Sequence, residues 1–284
     1  MITNSDLRLA GYANNVHSQF GEDGIISKIL ETLPLRDKWC VEFGAWDGRF
    51  LSNTCRLIEE DKYSAVLIEG DIEKCKELKN NFRKFPNVIA VQRFVGFDND
   101  RLDDILETTP IPNDFDFLSI DIDGCDYHIW ESLKSHRPKI VCIEYNPTIP
   151  NGLRFVQARN FSVAQGASLD SIVDLGLLKG YELITTTRNN AIFATKELFP
   201  LFGIKDNSVT TLREDTSWVS QVFSTYDGEL MVMGANLCPW NGIRLDRMVR
   251  QLPKSLRAFP ANMGFFRRKS LGLWKKIFGL AAPH

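Results

Sequence analysis

No apolar run in these residues approaches the roughly 20 that a bilayer-spanning helix needs. Six cysteines are scattered at Cys40, Cys55, Cys75, Cys125, Cys142 and Cys238, with no C-x-x-C pair. Neither a zinc site nor a disulfide framework follows from such spacings, and a reducing, cytoplasmic compartment is expected. Met1–Asn15 is polar and has no apolar h-region, so no secretory signal is read there. The net charge is only −2, so nothing global attracts a polyanion and no nucleic-acid partner is expected. There is no internal repeat and no low-complexity segment.

The 284 residues are 44% hydrophobic, enough for one large domain or one domain with an extension. Residues 1–35 are read as an N-terminal segment whose helix, Ile25–Leu33, covers the sheet or the ligand mouth. Asp23 is its expected N-cap and Pro34 its stop. Strand-like apolar runs follow at Trp39–Phe43, Ser64–Glu69, Val88–Val91, Phe115–Ile120 and Ile140–Glu144. Helical patterns lie between them at Ser52–Asp61, Ile72–Phe85, Leu102–Leu106 and Tyr127–Leu133. Near-continuous apolar strands alternating with helices predict a parallel sheet covered on both faces. Thr148–Gly166 is irregular and too long for an ordinary connection, which marks it as functional. Leu169–Leu178 then reads as a helix, and Tyr181–Thr185 and Ala191–Thr195 as a hairpin.

The pattern is organised around Trp39–Gly48, a strand that stops at a turn bracketed by Gly44 and Gly48. In an open α/β sheet such a turn places a ligand at the carboxyl end of the strand. Trp46 stands where a dinucleotide fingerprint has its middle glycine, which argues against a tightly held pyrophosphate and hence against an NAD or nucleotide-sugar enzyme. The strand ends carry acids instead: Glu42, Asp47, Glu69, Asp121 and Asp123. A carboxylate after the second strand suits a ribose diol, and acids at the turn suit an ammonium and a sulfonium. A cationic, adenosine-bearing, phosphate-free ligand is indicated, and S-adenosyl-L-methionine fits.

Five segments in order now resemble one family. They are Val41–Gly48, Ile68-Glu69 with Asn80-Asn81-Phe82, Leu102-Asp103-Asp104-Ile105-Leu106, Phe117–Gly124, and Ile143-Glu144-Tyr145-Asn146. Together they resemble a class I S-adenosylmethionine-dependent methyltransferase of the FkbM-like family. Ser119, Asp123 and the helix Tyr127-His128-Ile129-Trp130 depart from its pattern. The resemblance implies an α/β fold: a Rossmann-like, seven-stranded, mostly parallel sheet with helices on both faces. The methyltransferase core is placed at 36–200, with a C-terminal extension at 201–284. It implies a cofactor site at Glu42, Gly44, Asp47, Gly48, Glu69 and Asp121, with Asp98 or its neighbours approaching the adenine.

The expected activity is O-methylation of a sugar, glycoconjugate or other small molecule, in polysaccharide-type biosynthesis. Asp121, His128 and Glu144 are the expected catalytic residues, His128 being the best-placed histidine base. His17 is a lesser candidate, and His136 reads as structural. Asp121, Asp123, Glu144 and Asn146 form a hard-oxygen set suited to Mg or Mn. The same acids serve equally well without a metal, as a cofactor contact and a helix cap. Arg154 and Arg159, among Phe155 and Phe161, are candidates for holding the small-molecule or glycan acceptor.

Phe265–Leu280 is basic and amphipathic. It suits either contact with the inner membrane surface or docking on this chain or a second copy, as in a homodimer. Two other functions stay open at this point. One is a non-catalytic binding or scaffold protein on a methyltransferase fold. The other is a peripheral membrane protein acting on a lipid-linked glycan.

Overall fold

The computed structural model describes residues 8–239, 241–245 and 251–278. The chain divides into two compact units, Met1–Thr216 and Ser217–His284.

The first unit is built on a seven-stranded sheet: β1 (Trp39–Phe43), β2 (Ser64–Glu69), β3 (Val88–Gln92), β4 (Phe117–Ile120), β5 (Ile140–Glu144), β6 (Tyr181–Thr186) and β7 (Asn190–Thr195). Its order is β3-β2-β1-β4-β5-β7-β6. The first five strands are parallel, and β7 runs antiparallel to both β5 and β6. The order reverses between β1 and β4, so the loops leaving these two strands part to opposite sides and open a crevice there. Helices α1 (Glu22–Thr32), α2 (Cys55–Glu59), α3 (Ile72–Asn81), α4 (Leu102–Leu106), α5 (Asp126–Ser132) and α6 (Leu169–Leu178) connect or cover the strands. Alternate residues of each strand feed two apolar layers. Val41, Phe43, Ile68, Leu118, Ile120 and Ile143 pack on one face, and Cys40, Leu67, Phe117 and Cys142 on the other. This is the fold expected from the alternation of runs.

Two local expectations differ from what the chain does. Ser52–Asp61 forms helix only from Cys55, because Ser52, Asn53 and Thr54 turn back onto the Glu42 carboxylate. Asp23 is not the cap of α1. Gly21 holds that place with φ 98°, and one Asp23 oxygen accepts the amides of Val16, His17 and Ser18 at 2.7–2.8 Å.

Asp103, in the Leu-Asp-Asp-Ile-Leu segment, is buried and accepts the amides of Lys134, Ser135 and His136 and the His136 ring at 2.6–3.1 Å. Burial opposes its ionisation, but these donors outweigh burial and hold its carboxyl well below the usual range. His136 is thereby structural, as expected. A small helix, α7 (Val209–Leu212), closes the unit.

The second unit contains an antiparallel hairpin, β8 (Ser220–Ser224) with β9 (Leu230–Gly234), and the helix α8 (Phe265–Ile277). Only the second of these strands is evident in the sequence; Ser-Gln-Val-Phe-Ser is too short and polar to stand out. Gly279 and Leu280 of the expected tail lie outside the described residues, as do the first seven of the N-terminal segment. Among the described residues no helix is long and apolar enough to cross a membrane.

Replacing Asp103 by alanine removes the acceptor of three backbone amides, of which that of His136 is buried. The expected loss is about 3 kcal/mol, at roughly 1 per unmade bond, read as a lower urea midpoint. Because the carboxyl is depressed, its stabilisation is complete above the unfolded value near 3.8 and disappears as pH falls through the folded value. The deficit of the variant therefore shrinks under acid.

Candidate active site

The turn after β1 is held by backbone conformations that few residues adopt. Gly44 and Gly48 have φ of 70° and 78°, and Trp46 between them has φ of 50°. A left-handed backbone costs a side-chain-bearing residue roughly 1–2 kcal/mol, so Trp46 needs restraint. Glu69 at the end of β2 provides it: one carboxylate oxygen accepts the Trp46 amide at 2.7 Å and the other the Asp71 amide at 2.7 Å. The Trp46 ring carries Lys74 Nζ 4.6 Å from its centroid. On the other side, a Cβ on Gly44 would lie 2.2 Å from the Asp121 carbonyl oxygen, so only glycine lets the β1 turn meet the end of β4.

A cavity of about 640 Å3 opens at this crevice. Gly44, Trp46 and Glu69 form one wall and Asp121, Ile122 and Asp123 another. The loop after β3 supplies Phe94, Val95, Gly96 and Asn99, and Phe161 reaches in from the irregular loop. A Cβ on Gly70 would stand 2.4 Å from the Phe94 ring, so that ring lies flat on bare backbone. The cavity thus joins an aromatic, apolar end to an acidic one.

Of the expected cofactor residues, Gly44, Glu69 and Asp121 line this cavity. Glu42 does not: it is buried and accepts Ser52 Oγ at 2.6 Å, Thr54 Oγ1 at 2.6 Å and the Asn53 amide at 2.9 Å. It shapes the turn from behind. Asp47 accepts the amides of Arg49 and Phe50, and Gly48 packs on Phe82, so both serve the turn's geometry. Asp98 pairs with Arg159 at 3.2 Å, while its neighbours Asn99 and Asp100 face the cavity.

Asp121, Asp123 and Glu144 come together, each offering an oxygen within 4.8 Å of the others. The exposed Asp123 holds a φ of 56°. Burial, reinforced by Asp126, Asp123, Glu42 and Glu22, pushes the Asp121 carboxyl well up. Burial, reinforced by Asp121, Asp126 and Asp123, pushes Glu144 well up, against one weak bond from Asn189 Nδ2 at 3.3 Å. Asp126 accepts the amides of Ile122 and Gly124 at 2.8 and 2.9 Å, yet burial carries it to about 6.

Asn146 is not brought to this group. Its Oδ1 accepts the amide and hydroxyl of Thr148, and its Nδ2 donates to the Gln165 carbonyl. Nor is His128 at the cavity: its Nε2 meets the Gln157 carbonyl at 2.9 Å, and its Nδ1 lies 3.8 Å from Glu131. His17 sits 3.7 Å from Glu59. Arg154 is paired with Asp174, and Arg159 with Asp98 and the Phe97 ring.

Sequence reasoning passed over Phe94, Gly70 and Ile122, and Glu22. The first three sit at loop positions with no periodicity. Glu22 carries a better signal, an acid between glycines ahead of a helix. It is buried and accepts Thr187 Oγ1 at 2.6 Å and Asn190 Nδ2 at 3.2 Å.

The family model described as "Methyltransferase FkbM domain" matches residues 95–166. These residues supply the β3 loop, β4, the acid group, β5 and the irregular loop; the β1 turn lies outside them. Several solved structures are similar over 61–67% of the chain. A SAM-dependent methyltransferase from Aquifex aeolicus is 13% identical, with 67% of this chain and 93% of that one covered and a TM-score of 0.38. The N-terminal domain of EvdMO1 with SAH bound is 12% identical, covering 61% and 80%, at a TM-score of 0.39. The CurJ carbon methyltransferase is 9% identical, covering 61% and 52%, at 0.41. No curated protein sequence matches the chain.

Residues 95–166, a part of the first unit, are thus similar to a methyltransferase FkbM domain, and they lie on a seven-stranded sheet of order β3-β2-β1-β4-β5-β7-β6.

Gly44→Ala tests the close approach. The new methyl group collides with the Asp121 carbonyl at a positive φ, with an expected cost of about 2 kcal/mol or more. Binding of S-adenosylhomocysteine is expected to fall at least about tenfold by calorimetry, since 1.4 kcal/mol corresponds to that factor.

Proposed function

We propose that the cavity between β1, β2 and β4 seats S-adenosyl-L-methionine and that the chain methylates a hydroxyl group on a sugar, glycoconjugate or similar small molecule. The observation that carries this reading is the cavity's division into an aromatic end and an acidic end, at the point where the sheet order reverses. Phe94, Val95 and Phe161 offer apolar faces suited to an adenine. Each Glu69 oxygen has one lone pair engaged by an amide and another left for a ribose hydroxyl. Asp121 and its neighbours favour the cationic end.

The bound cofactor supplies an electrophilic methyl group. The chain's task is alignment, because an in-line displacement gains most of its rate from orientation. The acceptor oxygen forms the new bond to carbon, the carbon–sulfur bond breaks with its electron pair returning to sulfur, and the hydroxyl proton must leave. Glu144 and Asp121 are suited to receive that proton, since carboxylates with raised affinity for protons are better bases near neutrality. His128 is held back from this role by its bond to the Gln157 carbonyl.

The same three carboxylates fit a divalent cation. They are hard oxygen donors within reach of one another, and the charges bearing most on Asp121 are all negative. Asp121, Asp123 and Glu144 would hold Mg or Mn, whose contribution would be to lower the acceptor hydroxyl's pKa.

Calorimetry tests the cofactor. S-adenosylmethionine and S-adenosylhomocysteine are expected to bind, and failure of both overturns the reading. The pH dependence has a defined sign. Asp126, with a folded value near 6, destabilises the empty protein as pH rises from about 4 through 6, and Asp121 and Glu144 act in the same direction. A cationic ligand prefers the ionised forms, so its affinity is expected to rise about tenfold or more from pH 5 to 7.5, with proton release.

EDTA treatment tests the metal. Loss of turnover restored by Mg or Mn, and abolished in Asp123→Ala, is the expected result. Full activity in EDTA removes the metal while leaving methyl transfer intact.

A further inference from the structure

The basic helix α8 has no buried residue. By the ~100° step of an α-helix, Phe266, Leu273 and Ile277 fall within a narrow stripe. They are 83%, 61% and 66% exposed. Arg268 and Lys275 lie on the opposite arc, Lys269 and Lys276 flank the stripe at about 60–80°, and Lys269 Nζ sits 4.7 Å from the Phe265 ring centroid. Arg267 is the fifth cation, and its Nε donates to the Ser255 carbonyl within the same unit. No acid occurs between Gly264 and Phe278.

Charge is segregated along the chain. Residues 217–284 contain 10 Lys and Arg against 3 Asp and Glu, whereas residues 1–216 contain 24 against 33. The small overall charge therefore conceals a strongly basic second unit. A polyanionic surface is its natural complement. A stripe of exposed phenylalanine, leucine and isoleucine gains nothing from a phosphodiester backbone but is stabilised by entering acyl chains. The combination selects an anionic lipid surface over a nucleic acid.

We propose that α8 docks the protein onto anionic phospholipid, with the Phe266–Leu273–Ile277 stripe entering the headgroup–acyl boundary and the flanking cations contacting lipid phosphates and carboxylates. Its 13 residues are too few and too charged to span a bilayer, so the helix lies in the interface plane. The inference does not depend on the methyltransferase reading.

The test is co-sedimentation of the full chain with vesicles of phosphatidylcholine containing about 30 mol% phosphatidylserine. Binding is expected there, at least about tenfold weaker binding to pure phosphatidylcholine, and release as salt rises to about 0.5 M, where screening is short-ranged. Two surface variants separate the contributions. Phe266→Ser with Leu273→Ser and Ile277→Ser removes the stripe, and Lys269→Glu with Lys276→Glu reverses two charges; each is expected to lower binding at least about tenfold. Unchanged circular dichroism and thermal midpoint show that the variants are folded.

Failure to sediment with the anionic vesicles overturns the proposal, as does equal binding to neutral ones. Tighter binding to a single-stranded RNA than to vesicles also overturns it. So does a stripe variant that dissociates a dimer while vesicle binding stays unchanged.

Discussion

Repulsion among carboxylates at the carboxyl edge of the sheet is the constraint on which this site depends. Glu22, Glu42, Asp121, Asp123, Asp126 and Glu144 arrive there from five different elements. Some are partly offset by donors, Glu42 by the Ser52–Thr54 loop and Asp126 by two amides, though burial still raises both. Asp121 and Glu144 are not compensated to the same degree, and their protons are held more tightly as a result. An edge arranged in this way is least stable when it is empty and ionised. It is the complement of a cation, and that preference exists before any ligand arrives.

The donors that do compensate explain much of the local architecture. The Glu42 carboxylate shortens α2 by recruiting three residues that the sequence pattern assigns to the helix. The Asp23 carboxylate gathers three consecutive amides and bends the 16–18 segment around itself. The Asp103 carboxylate ties α4 to the stretch before β5. Each is a buried acid held by donors from a neighbouring loop.

This division is where the sequence was legible and where it was not. The sheet was readable because each strand is a near-continuous apolar run bounded by turn residues, and the Gly44–Gly48 turn was readable because glycine at those places has a backbone reason. The gathering of Asp121, Asp123 and Glu144 followed from acids at adjacent strand ends. Glu42, His128 and Asn146 look the same in sequence as residues that face a ligand. Their partners, Ser52, the Gln157 carbonyl and the Gln165 carbonyl, are fixed by loops whose course no periodicity encodes. Phe94 escaped for the same reason, and Phe161 stands out in the sequence only as a neighbour of the loop arginines. A solitary aromatic in a loop gains its meaning from what it covers, here the bare backbone of Gly70 and the mouth of the cavity.

The bond between Glu22 and the β6–β7 hairpin joins residues 165 and 168 positions apart, at Thr187 and Asn190. A ribosome adding about 5–20 residues per second needs roughly ten to thirty seconds to span that interval. During this time the opening strands and their helices are already available to pair, while Glu22 at the start of α1 has only the local Phe20 amide as a donor. The acidic edge is therefore completed last, when the hairpin emerges and Glu22 is drawn in. Until then Glu22 lacks both of its hairpin donors, Thr187 and Asn190.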